Sequence, residues 1–465
     1  MQSIGIRALA CAWALAGCVA TPEPVPDGVP PSIDAPPSDP GNVLVVLIDD
    51  IGTEDLAVYG PALPVTPTID SLATKGMVFT NAYAAPMCSP TRAELLTGRH
   101  GRRYGIGDAL WIERDDPELP LRERTIPEML EAAPDVWATA HVGKWHVSGH
   151  GEGAASHPNL QGFPLASGTL FNPAVSMLGA DHPLGYFEWE QFEDGEVGFA
   201  DGYLTTRVAD DAIEVLEDLP EPWFVHLAFN SAHFPLHAPP EELLNTPLPP
   251  PEAGVDRSEA LYVAMIEALD TELGRVLDSL DPAVRERTTI ILASDNGTTN
   301  PAGDPARQKG SMWEGGVHVP LIISGPEVRP GTVSSALTHT VDLYPTIANL
   351  AAVDLTSPDQ PRLDGFSLLG ELREPNQGHM QRRFVFTERF ANGEPPSPPT
   401  AWLVRNERFK LMQLWMQQPR LFDLAADPAE AVDLLADPTN EQERIASDLR
   451  EALEEMVAQV VYEAP

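Results

Sequence analysis

The chain has 465 residues, and its 69 acidic against 29 basic side chains give a net charge of -40 at pH 7. Such an excess of negative charge repels phosphate backbones and anionic lipid headgroups, which excludes a nucleic-acid-binding protein and a protein held to membranes by basic patches. The 3 cysteines lie at positions 11, 18 and 88, too few for a disulfide framework. The length suffices for a large domain with its own core and a smaller second domain.

The first 20 residues have the composition of an export signal. Arg7 precedes an apolar stretch that ends in L-A-G-C at 15–18, which resembles the cleavage box of bacterial lipoproteins. We expect 1–17 to be a lipoprotein-type signal peptide and Cys18 to be lipidated, so that a lipid anchor is the only membrane contact. The predicted location is the periplasm or surface of a bacterium. Cleavage of an ordinary signal peptide near Ala20, giving a secreted protein, is the alternative.

Residues 18–40 are rich in proline and lack aromatic residues, which predicts an extended, solvated tether. Beyond it, no apolar run is long enough to span a bilayer. We expect a catalytic domain over 41–375 and a C-terminal subdomain over 376–465.

Four apolar, β-branched segments in the larger domain each end in a polar cluster. Amphipathic segments between them, such as 125–133 and 203–219, predict helices. Strands alternating with helices imply an α/β fold: a large, mostly parallel sheet sandwiched by helices, with ligands bound beyond the carboxyl ends of its strands. The clusters are therefore expected to share one pocket. They are Asp49-Asp50 after 42–48, Lys144-Trp145-His146 after 137–143, Asn230 to His233 after 223–229, and Asp295-Asn296 after 288–293.

The two acidic clusters offer only hard oxygen ligands, which suit Ca²⁺ or Mg²⁺. Helix capping is the favoured explanation of an Asp-Asp pair after a strand when that pair is taken alone, but the second cluster, Asp295-Asn296, favours a metal. Lys144 and His146 are two residues apart, so they share one face if the strand persists, with Trp145 on the other face. A solvated lysine and a structural histidine are the alternatives for these two residues.

Cys88 begins the motif C-S-P-T-R, which is followed by L-T-G-R at 96–99. Together they resemble the signature of type I sulfatases, an arylsulfatase-like family of the alkaline phosphatase superfamily in which this cysteine is oxidised to formylglycine. A buried cysteine beside a turn-forming proline is the alternative for C-S-P-T-R alone. The resemblance runs from about residue 42 to about residue 423. Other matching blocks are G-K-W-H at 143–146, N-S-A-H-F-P-L-H-A-P at 230–239, K-G-S-M-W-E-G-G-V at 309–317, V-D-L-Y-P-T at 341–346 and the R-L-F-D-L turn at 420–424.

The resemblance implies hydrolysis of sulfate monoesters by a hydrated formylglycine at position 88. The hydrate would give a proton to Asp295 and attack sulfur, Arg92 would hold it, and His146 would later take its second proton so that sulfate leaves. The implied catalytic residues are Cys88, Arg92, Lys144, His146, His233 and Lys309, of which Lys144, His233 and Lys309 also bind substrate and the last two assist the leaving oxygen. The implied calcium ligands, with magnesium as second choice, are Asp49, Asp50, Asp295, Asn296 and position 88.

Two other functions stay open: a formylglycine-dependent phosphonate or phosphate ester hydrolase, and a sulfatase-like binding protein that is never matured. The expected partners are a formylglycine-generating enzyme and either a sulfated small molecule or a sparsely sulfated glycan, because the acidic surface repels polysulfated polymers. Loops 101–116 and 149–196 are expected to line the outer pocket, with Trp111 and His237 as candidate contacts. In the C-terminal subdomain, 384–388, 401–404 and 409–413 predict a small antiparallel sheet and 441–461 a closing amphipathic helix.

Overall fold

A computed structural model describes residues 36–37, 40–112, 114, 116–151, 153–179, 184–252, 254–357, 360–379 and 382–463. The expected signal peptide, Cys18 and most of the tether lie outside the described residues. Within the described ranges, no helix combines the length and apolar character needed to cross a membrane.

Strands and helices alternate through the first three quarters of the chain. The strands are β1 (Asn42–Ile48), β2 (Met77–Phe79), β3 (Ala82–Tyr83), β4 (Ala138–Lys144), β5 (Leu165–Thr169), β6 (Glu188–Glu193), β7 (Glu196–Asp201), β8 (Trp223–Ala228), β9 (Thr288–Ser294), β10 (Leu321–Ser324), β11 (Thr332–Ser334), β12 (Thr338–His339), β13 (Val385–Arg389), β14 (Ala401–Arg405), β15 (Phe409–Gln413) and β16 (Arg420–Asp423). The helices are α1 (Pro67–Lys75), α2 (Cys88–Thr97), α3 (Ile126–Leu130), α4 (His157–Leu160), α5 (Leu204–Asp218), α6 (Ser258–Ser279), α7 (Pro282–Glu286), α8 (Glu314–Val317), α9 (Leu343–Leu350), α10 (Leu369–Arg373) and α11 (Asn440–Gln459).

Ten strands form the central sheet, in the order β11-β2-β10-β9-β1-β8-β4-β5-β6-β7. The five strands from β9 to β5 are parallel to one another. Strand β1 is apolar after Asn42 because both of its faces are covered: Val43 and Val45 face one hydrophobic core, and Leu44 and Val46 face the other. Helices α2, α3 and α9 contribute to the first core and α1, α5 and α6 to the second. The predicted α/β fold is confirmed.

The C-terminal sheet is antiparallel, in the order β13-β14-β15-β16. One face packs on the larger domain around Trp313 and Val317, and the other packs on α11 through Leu449 and Leu453. This confirms the predicted small sheet with a closing helix. The boundary near residue 375 stays a prediction.

Two local predictions are wrong. Residues 420–424 were expected to form a turn, but most of them form strand β16, because Leu421 and Phe422 bury their side chains on opposite faces of the small sheet. The segment 149–196 was expected to be a loop, yet it contains β5 and β6, which extend the central sheet beyond β4. Burial of Trp189 and Phe192 on this extension explains why the segment folds as strand.

Candidate active site

The two acidic clusters meet at the carboxyl end of the central strands. Asp49-Asp50 follows β1 and Asp295-Asn296 follows β9, and these neighbouring parallel strands pair in register up to Ile48 and Ser294. All four side chains are buried. The Asn296 amide donates to Oδ1 of Asp50 at 2.8 Å, so the two clusters are in direct contact.

Asp50 is placed by an unusual backbone conformation. Its φ of 63° lies in the left-handed region, which costs free energy for a residue with a Cβ and is found where surrounding contacts hold it. One such contact is the Tyr262 hydroxyl, which donates to the Asp50 carbonyl at 2.8 Å. Helix α6 therefore helps to aim this carboxylate, a role for Tyr262 that has no signature in the sequence.

Cys88 is the first residue of α2 and is 1% exposed. Its Sγ lies 3.2 Å from Nδ1 of His146. The side chain also packs against Met87 and Ala109, which are apolar. Burial raises the pKa of the Cys88 thiol, an effect that Lys144 and Lys309 only partly oppose. An unmodified thiol at this position is accordingly protonated and a poor nucleophile at neutral pH.

Arg92 lies one helical turn after Cys88 and is fully buried. Its guanidinium donates to Oδ2 of Asp295 through Nε at 2.9 Å, with a second nitrogen of the group 2.8 Å from the same oxygen. It also donates to the Lys144 backbone carbonyl at 2.6 Å. One side chain thus ties α2 to the ends of β9 and β4.

Two ammonium groups bracket the acidic residues. Lys144, at the end of β4, donates to Oδ2 of Asp49, and Lys309 donates to Oδ1 of Asp50. Burial would lower the pKa of Lys309, but the negative groups around it, Asp50 foremost with Asp49 and Asp295, together outweigh that effect and raise the pKa above its ordinary value. Lys309 is therefore a cation in this pocket.

His146 enters the pocket by a turn and not by continuation of a strand. Strand β4 ends at Lys144, and His146 has a φ of 59° in the left-handed region, so the condition that the strand persists through His146 is not met. Its Nε2–H donates to the Leu110 carbonyl at 3.1 Å, which leaves Nδ1 facing Cys88. Burial, reinforced by Lys144 and Arg92, holds the pKa of His146 well below its usual range. The imidazole is neutral at pH 7.

His233 follows β8 and borders the pocket. Its Nδ1–H donates to the Phe234 carbonyl at 2.7 Å, and its Nε2 lies 3.8 Å from Oδ2 of Asp50. Burial and the charges of Lys309 and Lys144 lower the pKa of His233 to about 3. The Tyr186 hydroxyl, which sequence reasoning did not single out, donates to the His233 carbonyl at 2.9 Å and fixes this loop.

The donor atoms fit a hard divalent cation. Oδ1 of Asp49 and Oδ1 of Asn296 are buried and have no hydrogen-bond partner among the described residues. Orphaned buried oxygens are costly unless something else satisfies them, and here they stand beside two further carboxylates. Oxygen donors of this kind are those that Ca²⁺ and Mg²⁺ take in proteins.

Trp111 and His237 lie at the periphery of this pocket. Trp111 is 43% exposed and directly follows Leu110, whose carbonyl contacts His146. His237 packs against the Tyr186 ring at a centroid distance of 4.2 Å. Their role in substrate binding stays a prediction.

The C-terminal sheet also reaches the pocket, through a contact that the sequence did not reveal. Arg389 of β13 donates to the Gly310 carbonyl at 2.8 Å and pairs with Asp108 at 3.0 Å. Gly310 follows Lys309, and Asp108 precedes Ala109, which packs on Cys88. The smaller subdomain therefore helps to fix the loop that carries Lys309.

Comparison with known proteins finds matches along most of the chain. Residues 41–353 match the family model described as Sulfatase, and residues 307–459 match the one described as N-sulphoglucosamine sulphohydrolase, C-terminal. Arylsulfatase G of Homo sapiens is 28% identical over 455 residues, which cover 84% of this chain and 82% of that protein. N-acetylgalactosamine-6-sulfatase of Homo sapiens is 30% identical over 376 residues, covering 75% of this chain and 68% of that protein.

Solved structures show the same fold. That of Ps i-CgsB in complex with k-i-k-neocarrahexaose has a TM-score of 0.75 and 24% identity, and covers 90% of this chain and 93% of that one. A second, in complex with its substrate D-glucosamine-2-N, 6-O-disulfate, has a TM-score of 0.71 and 22% identity, and covers 91% of this chain and 98% of that one.

Proposed function

Because this chain belongs to the sulfatase family and is therefore an enzyme of sulfate ester hydrolysis, we propose that it acts through formylglycine made from Cys88 beside a bound calcium ion. One observation carries the proposal. The buried Sγ of Cys88 lies 3.2 Å from a neutral imidazole, in the pocket where Arg92, two lysines and both acidic clusters converge.

Formylglycine at position 88 would supply, as its hydrate, two hydroxyls on one carbon, one to attack sulfur and one to release the product. The raised pKa of the Cys88 thiol supports the need for this conversion, because the unmodified side chain would be protonated. Arg92 is expected to hold the modified residue at the start of α2 while it positions Asp295.

We assign the metal site to the two acidic clusters, with calcium as first choice and magnesium as second. The bound ion would polarise a sulfate oxygen and offset its charge. The buried, unpartnered Oδ1 atoms of Asp49 and Asn296 support this assignment. The ligands are Asp49, Asp50, Asp295 and Asn296, with position 88 completing the set.

His146 is assigned the role of general base. Its Nε2–H is committed to the Leu110 carbonyl, so the lone pair on Nδ1 faces position 88 and can accept a hydroxyl proton from it. The lowered pKa keeps this imidazole neutral near pH 7, which is the form that a base requires.

We assign proton donation to the leaving oxygen to Lys309 and not to His233, which is a positioning group beside it. The Nδ1–H of His233 is directed at the Phe234 carbonyl, so its Nε2 presents a lone pair and no proton. Lys309 carries three N–H groups, of which Asp50 engages one. Lys144 is assigned to a sulfate oxygen, close to Asp49.

We propose a sulfated small molecule or a sparsely sulfated glycan as substrate. The relative named N-acetylgalactosamine-6-sulfatase and the solved structures with bound k-i-k-neocarrahexaose and D-glucosamine-2-N, 6-O-disulfate support a sugar sulfate. The net charge of -40 opposes a densely sulfated polymer.

We further propose export to the periplasm or cell surface through lipidated Cys18. Cys18→Ser should then release the protein from the membrane fraction, and unchanged fractionation contradicts the anchor.

The test combines peptide mass spectrometry with rates on three substrates. We expect the peptide containing position 88 to be lighter than its thiol form by the thiol-to-aldehyde difference, and an aryl sulfate to be hydrolysed faster than an aryl phosphate or a phosphonate monoester. Cys88→Ala should abolish turnover and leave the fold intact. Full activity from a thiol-only protein contradicts the mechanism, and preferred turnover of the phosphonate or phosphate contradicts the sulfate assignment. A protein that keeps its thiol and binds aryl sulfate without turnover would be the sulfatase-like binding protein that is never matured.

A further inference from the structure

A second cluster of metal-binding side chains lies outside the proposed active site. Glu94 is on α2, His100 follows that helix, and His339 ends strand β12. All three are buried, and one ligand-type atom of each lies within 4.8 Å of one from both of the others. No step of the proposed reaction uses them.

The cluster contains polar atoms that lack a partner. Oε2 of Glu94 and Nε2 of His339 are buried without a hydrogen bond to any described residue. Oε1 of Glu94 accepts from the Gly101 amide at 3.0 Å and lies 3.3 Å from Nδ1 of His100. Because a buried polar group without a partner is costly, a further partner is expected here.

Glu94 is paired differently from the acidic groups around it. Those described acidic groups are each paired with an arginine, whereas Glu94 has only His100 as an ionisable partner. The arginine-paired acids are Glu388 with Arg102, Asp364 with Arg103 and Asp342 with Arg382.

A cavity of about 10 Å³ is lined in part by Glu94, His100 and Arg102. This volume is about that of one ordered water molecule. Two imidazoles, one carboxylate and one water are a common ligand set of zinc and other divalent transition metals, and differ from the all-oxygen set that calcium takes.

We propose that Glu94, His100 and His339 bind one divalent transition-metal ion of the zinc type, with water as a fourth ligand. Ligation through Nε2 of His339 places the ring proton on Nδ1, where the Thr340 hydroxyl lies 3.5 Å away and can accept it. With that proton in place, Nδ1 no longer accepts the long hydrogen bond of 3.4 Å from the Val341 amide.

Such an ion would fasten the segment that carries Cys88. Strand β12 pairs with β3, with His339 opposite Tyr83, shortly before Cys88 in the chain. Glu94 is on the helix that begins at Cys88. The metal would therefore join the two parts of the chain that flank position 88, and its role is to stabilise them.

The experiment titrates the purified chain with Co²⁺, after chelator treatment and in excess Ca²⁺ so that the oxygen-ligand site is filled. We expect one equivalent of Co²⁺ with the absorption of a site that has nitrogen ligands, displaced by one equivalent of Zn²⁺. Glu94→Gln and His339→Gln should weaken binding by more than about a hundredfold, since loss of an outer-shell partner alone costs about ten- to a hundredfold.

His233→Gln is the matched control. It removes an imidazole from a different cluster of possible metal ligands among the described residues, the one formed by His233 with Asp49 and Asp50. It should leave Co²⁺ binding unchanged. Loss of binding in His233→Gln with retention in His339→Gln overturns the proposal, as does absence of Co²⁺ binding to the wild type. If a cluster variant fails to fold, anomalous diffraction from zinc-soaked wild-type crystals decides: a peak among the three side chains supports the site, and no peak there refutes it.

Discussion

Replacing Lys410 by methionine should destabilise the protein by about 3 kcal/mol without emptying any space. Lys410 is fully buried on β15, and its ammonium lies 2.8 Å from Glu314 and 2.7 Å from Glu430. Methionine is close to lysine in length, so the change removes the charge and leaves two buried carboxylates without it. Breaking a buried ion pair from one side costs about 3–5 kcal/mol.

The pKa values give a similar figure. Burial would raise the pKa of Glu314, but Lys410 foremost, together with His318 and Arg405, outweighs burial and lowers the pKa from 4.5 to about 2, a difference that corresponds to about 3 kcal/mol for these partners together. Burial raises the pKa of Glu430 in spite of Lys410, so that carboxylate contributes less. Because the pKa of Glu314 is depressed in the folded state, its contribution is present above pH 4.5 and is lost as the pH falls towards about 2.

The assay is the free energy of unfolding in urea, at pH 7 and at a series of lower pH values. The matched control is Arg408→Met, directly before β15, whose side chain is 60% exposed and whose pair with Asp423 should contribute at most about 1 kcal/mol. Equal losses in the two variants at pH 7, or a difference between wild type and Lys410→Met that grows as the pH falls, would refute the reasoning.

Three further predictions concern the active site. His146→Gln should lower kcat on an aryl sulfate by about a hundredfold or more with the melting temperature unchanged, and a kcat near wild type contradicts its role as base. Asp49→Asn should lose calcium, measured by metal analysis, and should melt at a lower temperature than wild type because a ligand that binds the folded state is gone. Wild type treated with a chelator should show the same lower melting temperature and should recover when Ca²⁺ is added. A melting temperature that chelation leaves unchanged, with no metal found, contradicts the site. The kcat/KM of a heavily sulfated polysaccharide fragment should be low and rise with salt while that of a monosulfated aryl ester stays nearly flat, and a polymer rate that falls with salt would reveal a cationic surface around the pocket.

The sequence was sufficient to predict the fold class because its signals are local and repeated. The continuous apolar run before Asp49 can be satisfied only by a strand covered on both faces, and three more such runs place their polar clusters at the same edge. The C-terminal strands could be predicted equally well, apart from β16. Its sequence has only two adjacent apolar residues, a pattern that does not distinguish a strand from a turn.

The sequence was not sufficient to predict how side chains are aimed. Asp50 and His146 both adopt left-handed φ values, which residue type alone does not indicate. At His146 this conformation departs from strand geometry, and β4 ends at Lys144. The contacts of Tyr186, Tyr262 and Arg389 join segments far apart in the chain, and no local pattern marks them.

The burial of α2 bears on when the enzyme becomes active during its biosynthesis. All ten residues of the helix are buried, with Cys88 at its first position and 1% exposed. Such burial keeps the Cys88 side chain out of reach of a second protein. If Cys88 is converted as proposed, the conversion would therefore have to precede the packing of this helix, and a chain that folds first would keep its thiol and lack the proposed nucleophile.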